Sequence, residues 1–544
     1  MRRVFLSPLV RSVLVFAGYF VLVLAMQWRA GALDAGFGAY PDEPAHFITG
    51  LMVHDYLKAG LPRHPVAFAV NFYSRLPQVG LGHWPPLFYL IEAIWMLLFG
   101  VSRASLLVLI ALIAAALAWT VFSKAAKEFN FAAGVIAGLL ISLFPILRWS
   151  DNIVLTDTMV ALLGFLACVA WGRYLDAGRT ADSLWYGLLA AAALFTKSSA
   201  GYVLLIPPIA TLLAGRVAIF KKAATWLPVL IIGALYIPWW IFTWRLADTG
   251  LIGWLSADQT IARLAKLPGM ITGMVGLPLA ALVLIGAGAT LAGVPRITGL
   301  WAVILVQPFA ILETMLVAPV DIEPRHLIPL LPSMMLLACA GVRWIDSKLP
   351  AAVFGRESRV ALALAVCGLV SVLVAAPSAY QGHADGAREL VTAILQQPGD
   401  PVVLVARSEG RIIAEIALRE PRRPGVLCIR AIKLLASADW YANQYSQRFT
   451  TPAAVMAAME DVPVDIVVAH PAPSKDCSPH ELAILQAVRM WPQRWQPLGA
   501  WPPATPEYAA WRLVGGETGR ARRLPPQLLD KLRYELGPLY ESQP

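Results

Sequence analysis

Charge is scarce in this chain of 544 residues: Asp, Glu, Lys and Arg together make up 14%. Soluble domains carry roughly 25%. An ordinary soluble enzyme and a disordered chain are both excluded, because neither combines so little charge with 58% hydrophobic residues. Cysteine is also rare, at five residues, and no CxxC spacing occurs to suggest a thiolate metal site. Cys168, Cys339 and Cys367 lie in apolar segments and read as small hydrophobes. Cys428 and Cys477 lie in the C-terminal part and could pair if that part is extracytoplasmic. Neither GxGxxG nor a GKS loop is present, so there is no nucleotide fingerprint.

What the chain has instead is long apolar runs. The net charge of +10 (44 basic minus 34 acidic residues) fits basic membrane loops better than nucleic-acid binding. Arg2, Arg3 and Arg11 precede the run Ser12 to Met26, with no small-residue cleavage site after it, so this run reads as a first span rather than a removable signal. Further candidate spans fall near 104–122, 131–148, 153–172, 182–196, 198–215, 226–244, 271–293, 298–318, 326–344 and 359–378.

The segment 85–99 decides the topology. Its length of 15 residues covers roughly 22 Å, short of a core of about 30 Å. If it does not span, one side collects Lys124, Lys127, Arg173, Arg179, Arg216, Lys221, Lys222, Arg296, Arg343, Lys348, Arg356 and Arg359. The other side then collects Asp42, Glu43, Asp151, Asp157, Asp248, Asp258, Asp321 and Glu323. If it spans, both groups are split. The positive-inside rule therefore favours about eleven spans, a cytoplasmic N-terminus and a C-terminal part outside. Segment 85–99 becomes a juxtamembrane helix opened by Pro85-Pro86.

The expected organisation is a transmembrane domain over 1–379, with a long first external loop at 29–103 and an external surface helix within 246–270. A small extracytoplasmic α/β domain covers 380–516, where strands alternate with helices. A basic tail follows over 517–544, with Arg520, Arg522 and Arg523. Within the α/β domain, 401–406, 425–429, 464–469 and 508–514 read as strands, and 410–418, 451–460 and 479–490 as helices.

The sharpest local signal is Tyr40-Pro41-Asp42-Glu43-Pro44-Ala45-His46, just after the first span. Two carboxylates bracketed by prolines sit on a fixed backbone. They suit a general base at the membrane surface; they also suit a helix cap. Asp157, with Asp151 nearby, follows the third span, and a carboxylate there is costly unless it faces protein or water. Lys197 occupies a turn between two spans, and Glu323-Pro324-Arg325-His326 leads into another. On this topology all of these groups reach one membrane face. Carboxylates to deprotonate an acceptor hydroxyl, beside Lys and Arg to hold a departing phosphate, suit transfer from a lipid phosphate.

The set resembles the membrane glycosyltransferases of the GT-C superfamily, in the branch with protein O-mannosyltransferases and the aminoarabinose transferase that modifies lipid A. The resemblance covers about residues 1–380 and rests on five features, each matched in order. They are the first-loop acidic pair Asp42-Glu43, the run Pro85-Pro86-Leu87-Phe88-Tyr89, the second acid Asp157, the turn Thr196-Lys197, and Arg325 before Pro329 and Pro332. One position departs: His83-Trp84 stands where the aminoarabinose transferase has an acidic-basic pair.

The resemblance implies an integral-membrane transferase that moves a sugar from a polyprenyl-phosphate donor, such as undecaprenyl phosphate, to an envelope lipid, glycan or protein. Transfer is expected on the extracytoplasmic side of the cell inner membrane, with inversion. Asp42, Glu43 and Asp157 are expected as catalytic residues, and Lys197, Arg325, His326 and His83 as contacts to the donor phosphate. No cofactor is required; a divalent metal ion, if used, would be held by Asp42, Glu43 and Asp157. The competing readings are a multi-spanning transporter of a charged solute or lipid, and a membrane-anchored scaffold or sensor. The former is disfavoured because the charges sit at one face rather than at mid-membrane. The latter is disfavoured because the α/β domain shows no catalytic constellation.

Overall fold

The computed structural model describes residues 7–38, 40–80, 82–248, 255–318, 321–349, 356–374, 386–419, 425–437, 445–462 and 464–514. The basic tail, Trp254 and the junction near 380 lie outside the described residues.

The N-terminal helices are α1 (Pro8–Arg29), α2 (Glu43–Lys58), α3 (Pro65–Arg75), α4 (Leu87–Phe99), α5 (Arg103–Glu128), α6 (Phe131–Leu143), α7 (Pro145–Asp151), α8 (Asp157–Ala177) and α9 (Thr180–Thr196). A 3-10 helix (Ser198–Leu205) leads into α10 (Ile206–Leu213), followed by α11 (Leu227–Asp248), α12 (Ala257–Val275), α13 (Leu277–Leu291) and α14 (Gly299–Val317). A further 3-10 helix (Pro324–Leu330) runs into α15 (Leu331–Lys348), and α16 (Arg356–Val374) follows.

Six described helical segments are long and apolar enough to cross a bilayer, or up to eight if each of two bent pairs counts as one span. Each of the eleven expected segments is mostly helical in its described part, though 153–156 precede α8, and α9 and α10 with its 3-10 lead-in are short. The two bends have local causes. Between α6 and α7 the axis turns by 65°. There Phe144 is extended and Pro145 supplies no backbone donor to continue the helix. Between α12 and α13 it turns by 110°. Gly276 makes that corner at φ +76, and a Cβ on it would lie 2.7 Å from the Ser371 carbonyl oxygen. The expected span at 271–293 is therefore the last turn of α12 plus α13.

The chain runs back and forth between two ends of this bundle. At one end Glu128 receives a hydrogen bond from Trp301 (3.0 Å) and Arg343 reaches the Glu128 carbonyl (3.2 Å). Arg173 and Arg179 both pair with Asp182, at 3.1 and 2.8 Å, and Arg359 pairs with Asp346 at 3.3 Å. These are residues expected to share the basic side. At the other end lie the start of α5, the end of α7, the start of α8 and the end of α9. Helix α4 lies here too. Its apolar face, including Leu90, Ile94, Leu97 and Leu98, is exposed, and Phe88, Tyr89, Ala93 and Met96 are buried. That one-sided burial suits the expected juxtamembrane helix.

The C-terminal region contains α17 (Ala387–Leu395), β1 (Val402–Val405), α18 (Glu409–Arg419), β2 (Leu427–Arg430), α19 (Ala431–Leu435), β3 (Ala436–Ser437), β4 (Ser446–Gln447), α20 (Pro452–Asp461), β5 (Ile466–Ala469), α21 (Pro479–Met490), β6 (Trp495–Trp501) and β7 (Tyr508–Leu513). The main sheet has the order β2-β1-β5-β7-β6. Its β2, β1 and β5 strands are parallel, and β7 and β6 are antiparallel additions. Alternation sorts the side chains. Val402, Leu404 and Val467 pack with α20 and α21. Val403, Val405, Ile466 and Val468 pack on the other face with Leu390 of α17, Ile412 and Ile416 of α18, and Phe37, Phe47 and Phe88 of the first loop. The α/β region therefore shares one core with the loop that carries Asp42.

The disulfide that Cys428 and Cys477 could have formed is not made. Cys428 lies in the core on one face of the sheet and Cys477 in the core on the other, so the sheet separates them.

Candidate active site

The site is built where α2, α8, the α9 turn and the lead-in to α15 meet. Asp42 is the residue before α2, and Pro44 occupies the first helical turn, where a missing N–H costs nothing. The Asp42 side chain makes no capping hydrogen bond. Its carboxylate instead accepts from Arg325 Nη2 at 2.9 Å. Arg325 stands in the 3-10 segment (Pro324–Leu330) and points its Nη1 toward Asp157 Oδ2, 3.9 Å away.

Asp157 opens α8 and lies 2.6 Å from Lys197 Nζ. Lys197 is extended between α9 and the following 3-10 helix, and that break aims its side chain across to α8. Asp42, Arg325, Asp157 and Lys197 thus form one chain of alternating charge. The arrangement is graded in depth: the Asp42 side chain is 25% exposed, Lys197 17%, and Asp157 only 3%.

Arg325 is heavily engaged. Its Nε donates to Glu323 Oε2 at 3.0 Å, and its guanidinium lies over the Tyr40 ring, 4.2 Å from the centroid. The Tyr40 hydroxyl donates to the same Glu323 carboxylate, at 2.6 and 2.7 Å. Tyr40 also meets Trp149 edge to face. Burial opposes ionisation of Glu323, but the Arg325 charge and the Tyr40 hydrogen bond outweigh it and hold that carboxyl below its usual range. Burial pushes the Tyr40 hydroxyl well above its usual range. His326 accepts from the Glu323 backbone N–H through Nδ1, at 3.3 Å.

Glu43 is placed differently from its neighbour. It is fully buried and pairs with Arg103 Nε at 2.8 Å. It also accepts from Val154 N (3.2 Å) and Gly38 N (3.3 Å). Arg103 in turn donates to the carbonyls of Ala32 (2.6 Å) and Asn152 (2.9 Å). This pair ties the first loop to α5 and to the strand-like stretch before α8. His46, one turn along α2, is buried between Trp84, stacked at 4.3 Å, and the Tyr89 hydroxyl, 2.8 Å from Nδ1. Burial pushes its imidazole down to about 3, and the nearby Lys197 and Arg325 charges act the same way.

Of the residues expected from sequence, the structure brings together Asp42, Asp157, Lys197 and Arg325, with His326 in the same 3-10 turn. It sends Glu43 into the Arg103 pair. Asp151 accepts from Thr158 Oγ1 at 3.0 Å, so of the two candidate second acids Asp157 is the one in the cluster. His83 is partly exposed in the turn before α4. Tyr40 and Arg103 were not assigned roles from sequence. Tyr40 lies within the acidic motif, and Arg103 is a cation at the start of an apolar span, on the acidic side. Both facts could have flagged them.

The three carboxylates that would hold a metal do not converge: Asp42 faces Arg325, Glu43 faces Arg103 and Asp157 faces Lys197. Among the described residues no group of three or more His, Cys, Asp or Glu is arranged to hold a metal ion.

Residues 83–242 match the family model for dolichyl-phosphate-mannose-protein mannosyltransferase. No curated protein sequence matches the chain. Among solved structures, it is similar to ArnT from Cupriavidus metallidurans bound to undecaprenyl phosphate, with a TM-score of 0.57 at 13% identity over 93% of this chain and 99% of that one. The same ArnT in the apo state gives a TM-score of 0.58 at 12% identity, with the same coverage. With the sheet-bearing region included, the chain thus has an ArnT-like fold.

Proposed function

We propose that the protein is an integral-membrane glycosyltransferase that moves a sugar from a polyprenyl-phosphate-linked donor to an envelope acceptor on the extracytoplasmic side. The observation that carries this reading is the Asp42–Arg325–Asp157–Lys197 cluster at the less basic end of the helical bundle. The similar ArnT structure bound to undecaprenyl phosphate supports the class of donor. The acidic and basic ends of the bundle, taken with the positive-inside rule, support a cytoplasmic N-terminus and an outward-facing site.

In this mechanism the donor phosphate takes Arg325 and Lys197 as its cationic contacts. Arg325 offers a fork that fits phosphate oxygens, and Lys197 a point charge. His326 and His83 flank the same headgroup. A phosphate drawing on the Arg325 guanidinium loosens the Asp42 ion pair and frees the carboxylate to meet the acceptor. Asp42 Oδ then takes the acceptor hydroxyl proton, and the acceptor oxygen attacks the anomeric carbon from the face opposite the phosphate. The carbon–oxygen bond to phosphate breaks, and its electron pair leaves with the polyprenyl phosphate. A single displacement of this kind inverts the anomeric configuration. Asp157, deeper and paired with Lys197, orients the ammonium; Glu43 fixes the loop that presents Asp42.

The test is mass spectrometry of envelope lipids, glycans and proteins from a deletion strain. The expected result is loss of one sugar modification with accumulation of its polyprenyl-phosphate donor. An unchanged envelope together with an unchanged donor pool would contradict the reading.

A further inference from the structure

The α/β region packs onto the loop that carries Asp42, and the contact is narrow and specific. Helix α18 lies along α2 and against the strap at residues 36–38. A Cβ on Gly38 would lie 2.9 Å from Arg411 Cδ and 3.1 Å from Arg411 Cζ. Gly38 also has φ +120, a conformation that side chains rarely adopt. A Cβ on Gly36 would lie 2.9 Å from Glu415 Oε1. Phe37, between them, is fully buried and meets Phe47 of α2 at 4.6 Å. Arg411 and Glu415 are themselves buried, at 7% and 1% exposure. Such a close backbone approach to two buried charged side chains exceeds what a domain resting on a loop would need.

The strap connects directly to the site. Gly38 N donates to Glu43 Oε2, and Glu43 is locked to Arg103 and Val154 N. Asp42 sits between the strap and that lock. Lys197 and Arg325, by contrast, are carried by the α9 turn and the 3-10 segment before α15, away from α18. The backbone segments that carry the base and the two cations thus differ, while Arg325 meets Asp42 and Tyr40 across the site.

We infer that Arg411 and Glu415 are positioning residues: α18 braces the 36–38 strap and thereby holds the Asp42 carboxylate in register with the acceptor, while donor binding stands without it. The inference rests on the proposed transferase reading. Misplacing a catalytic group by about 1 Å costs on the order of 100-fold in rate. The α/β region then acts on the chemical step, not only on acceptor capture.

The test compares wild type, Arg411→Ala and Gly36→Ala as full-length protein in detergent. Three quantities are read: undecaprenyl phosphate affinity by tryptophan fluorescence, turnover of polyprenyl-phosphate sugars extracted from the native membrane, and amide hydrogen exchange over residues 32–50. The brace predicts a 10- to 100-fold fall in kcat, phosphate affinity within about twofold of wild type, and faster exchange in the strap. Gly36→Ala adds one methyl beside Glu415 and carries the test should Arg411→Ala not fold. Unchanged kcat in either folded variant overturns the brace, as does a parallel loss of phosphate affinity. If wild type neither binds undecaprenyl phosphate nor turns over donor, the transferase reading has failed. Exchange then decides the brace alone, and unchanged strap protection overturns it.

Discussion

Removing Arg103 should cost the protein more stability than removing any exposed cation. Arg103 is 4% exposed and its partner Glu43 is fully buried. In Arg103→Ala the Glu43 carboxylate keeps, among the described residues, the N–H groups of Gly38 and Val154, and the carbonyls of Ala32 and Asn152 lose a donor. Breaking a buried ion pair from one side typically costs about 3–5 kcal/mol, because an uncompensated charge stays inside or must take up a proton. Replacing both partners removes that stranded charge. The double variant Glu43→Gln with Arg103→Ala should therefore lose less than the two single changes combined, with a coupling of about 1–3 kcal/mol. Thermal unfolding in detergent, followed by tryptophan fluorescence, reads the order of the four proteins. Strictly additive losses, or an Arg103→Ala protein as stable as wild type, would refute the buried-lock role and return Glu43 to the catalytic candidates.

Other expectations follow from the same geometry. His46 is held neutral, its pKa pushed down to about 3 by burial, whereas an unfolded histidine titrates near 6.5. The unfolded chain thus binds a proton that the folded one refuses, so this contribution to stability is complete above pH ~6.5 and is lost as pH falls toward 3, by up to ~1.4 kcal/mol per pH unit. His46→Asn should flatten that part of the acid unfolding profile, and an unchanged profile would count against the burial. Lys197→Ala and Arg325→Ala should each weaken undecaprenyl phosphate binding, with Arg325→Lys failing to restore it because the fork is lost; full affinity in both alanine variants would remove their role. A reporter fused at Lys124 should read cytoplasmic, and an external reading there would invert the whole site.

Much of the architecture could be read from the chain because membrane burial and charge sidedness act over long windows. Helices in the apolar segments, a short helix within 85–99 and most strands of the α/β region follow from that. Strand β6 did not, since Trp495-Gln496-Pro497-Leu498-Gly499 carries a proline, a glycine and a register shift at Pro497/Gly499. Helices α3 and α17 were also not assigned, being only 11 and 9 residues long, whereas the start of α2 was marked by Pro44. Within the site, the residues brought together were those marked by proline-fixed backbones or by turns between spans. What stayed hidden were relations between distant residues. That Glu43 would face Arg103 while Asp42 faces Arg325 depends on one helical step at the start of α2. Adjacent positions on a helix point about 100° apart. Sequence places the acidic pair together, and only the packing of α5 and of the α15 lead-in separates their roles.

The most direct measurement is sugar transfer by purified Asp42→Asn, beside Asp157→Asn, with undecaprenyl phosphate binding read in parallel. Loss of a general base typically costs about 10²–10⁴ in rate. The account predicts that Asp42→Asn stays folded and binds the lipid phosphate, but loses transfer on that scale. Transfer at the normal rate by folded Asp42→Asn would contradict it.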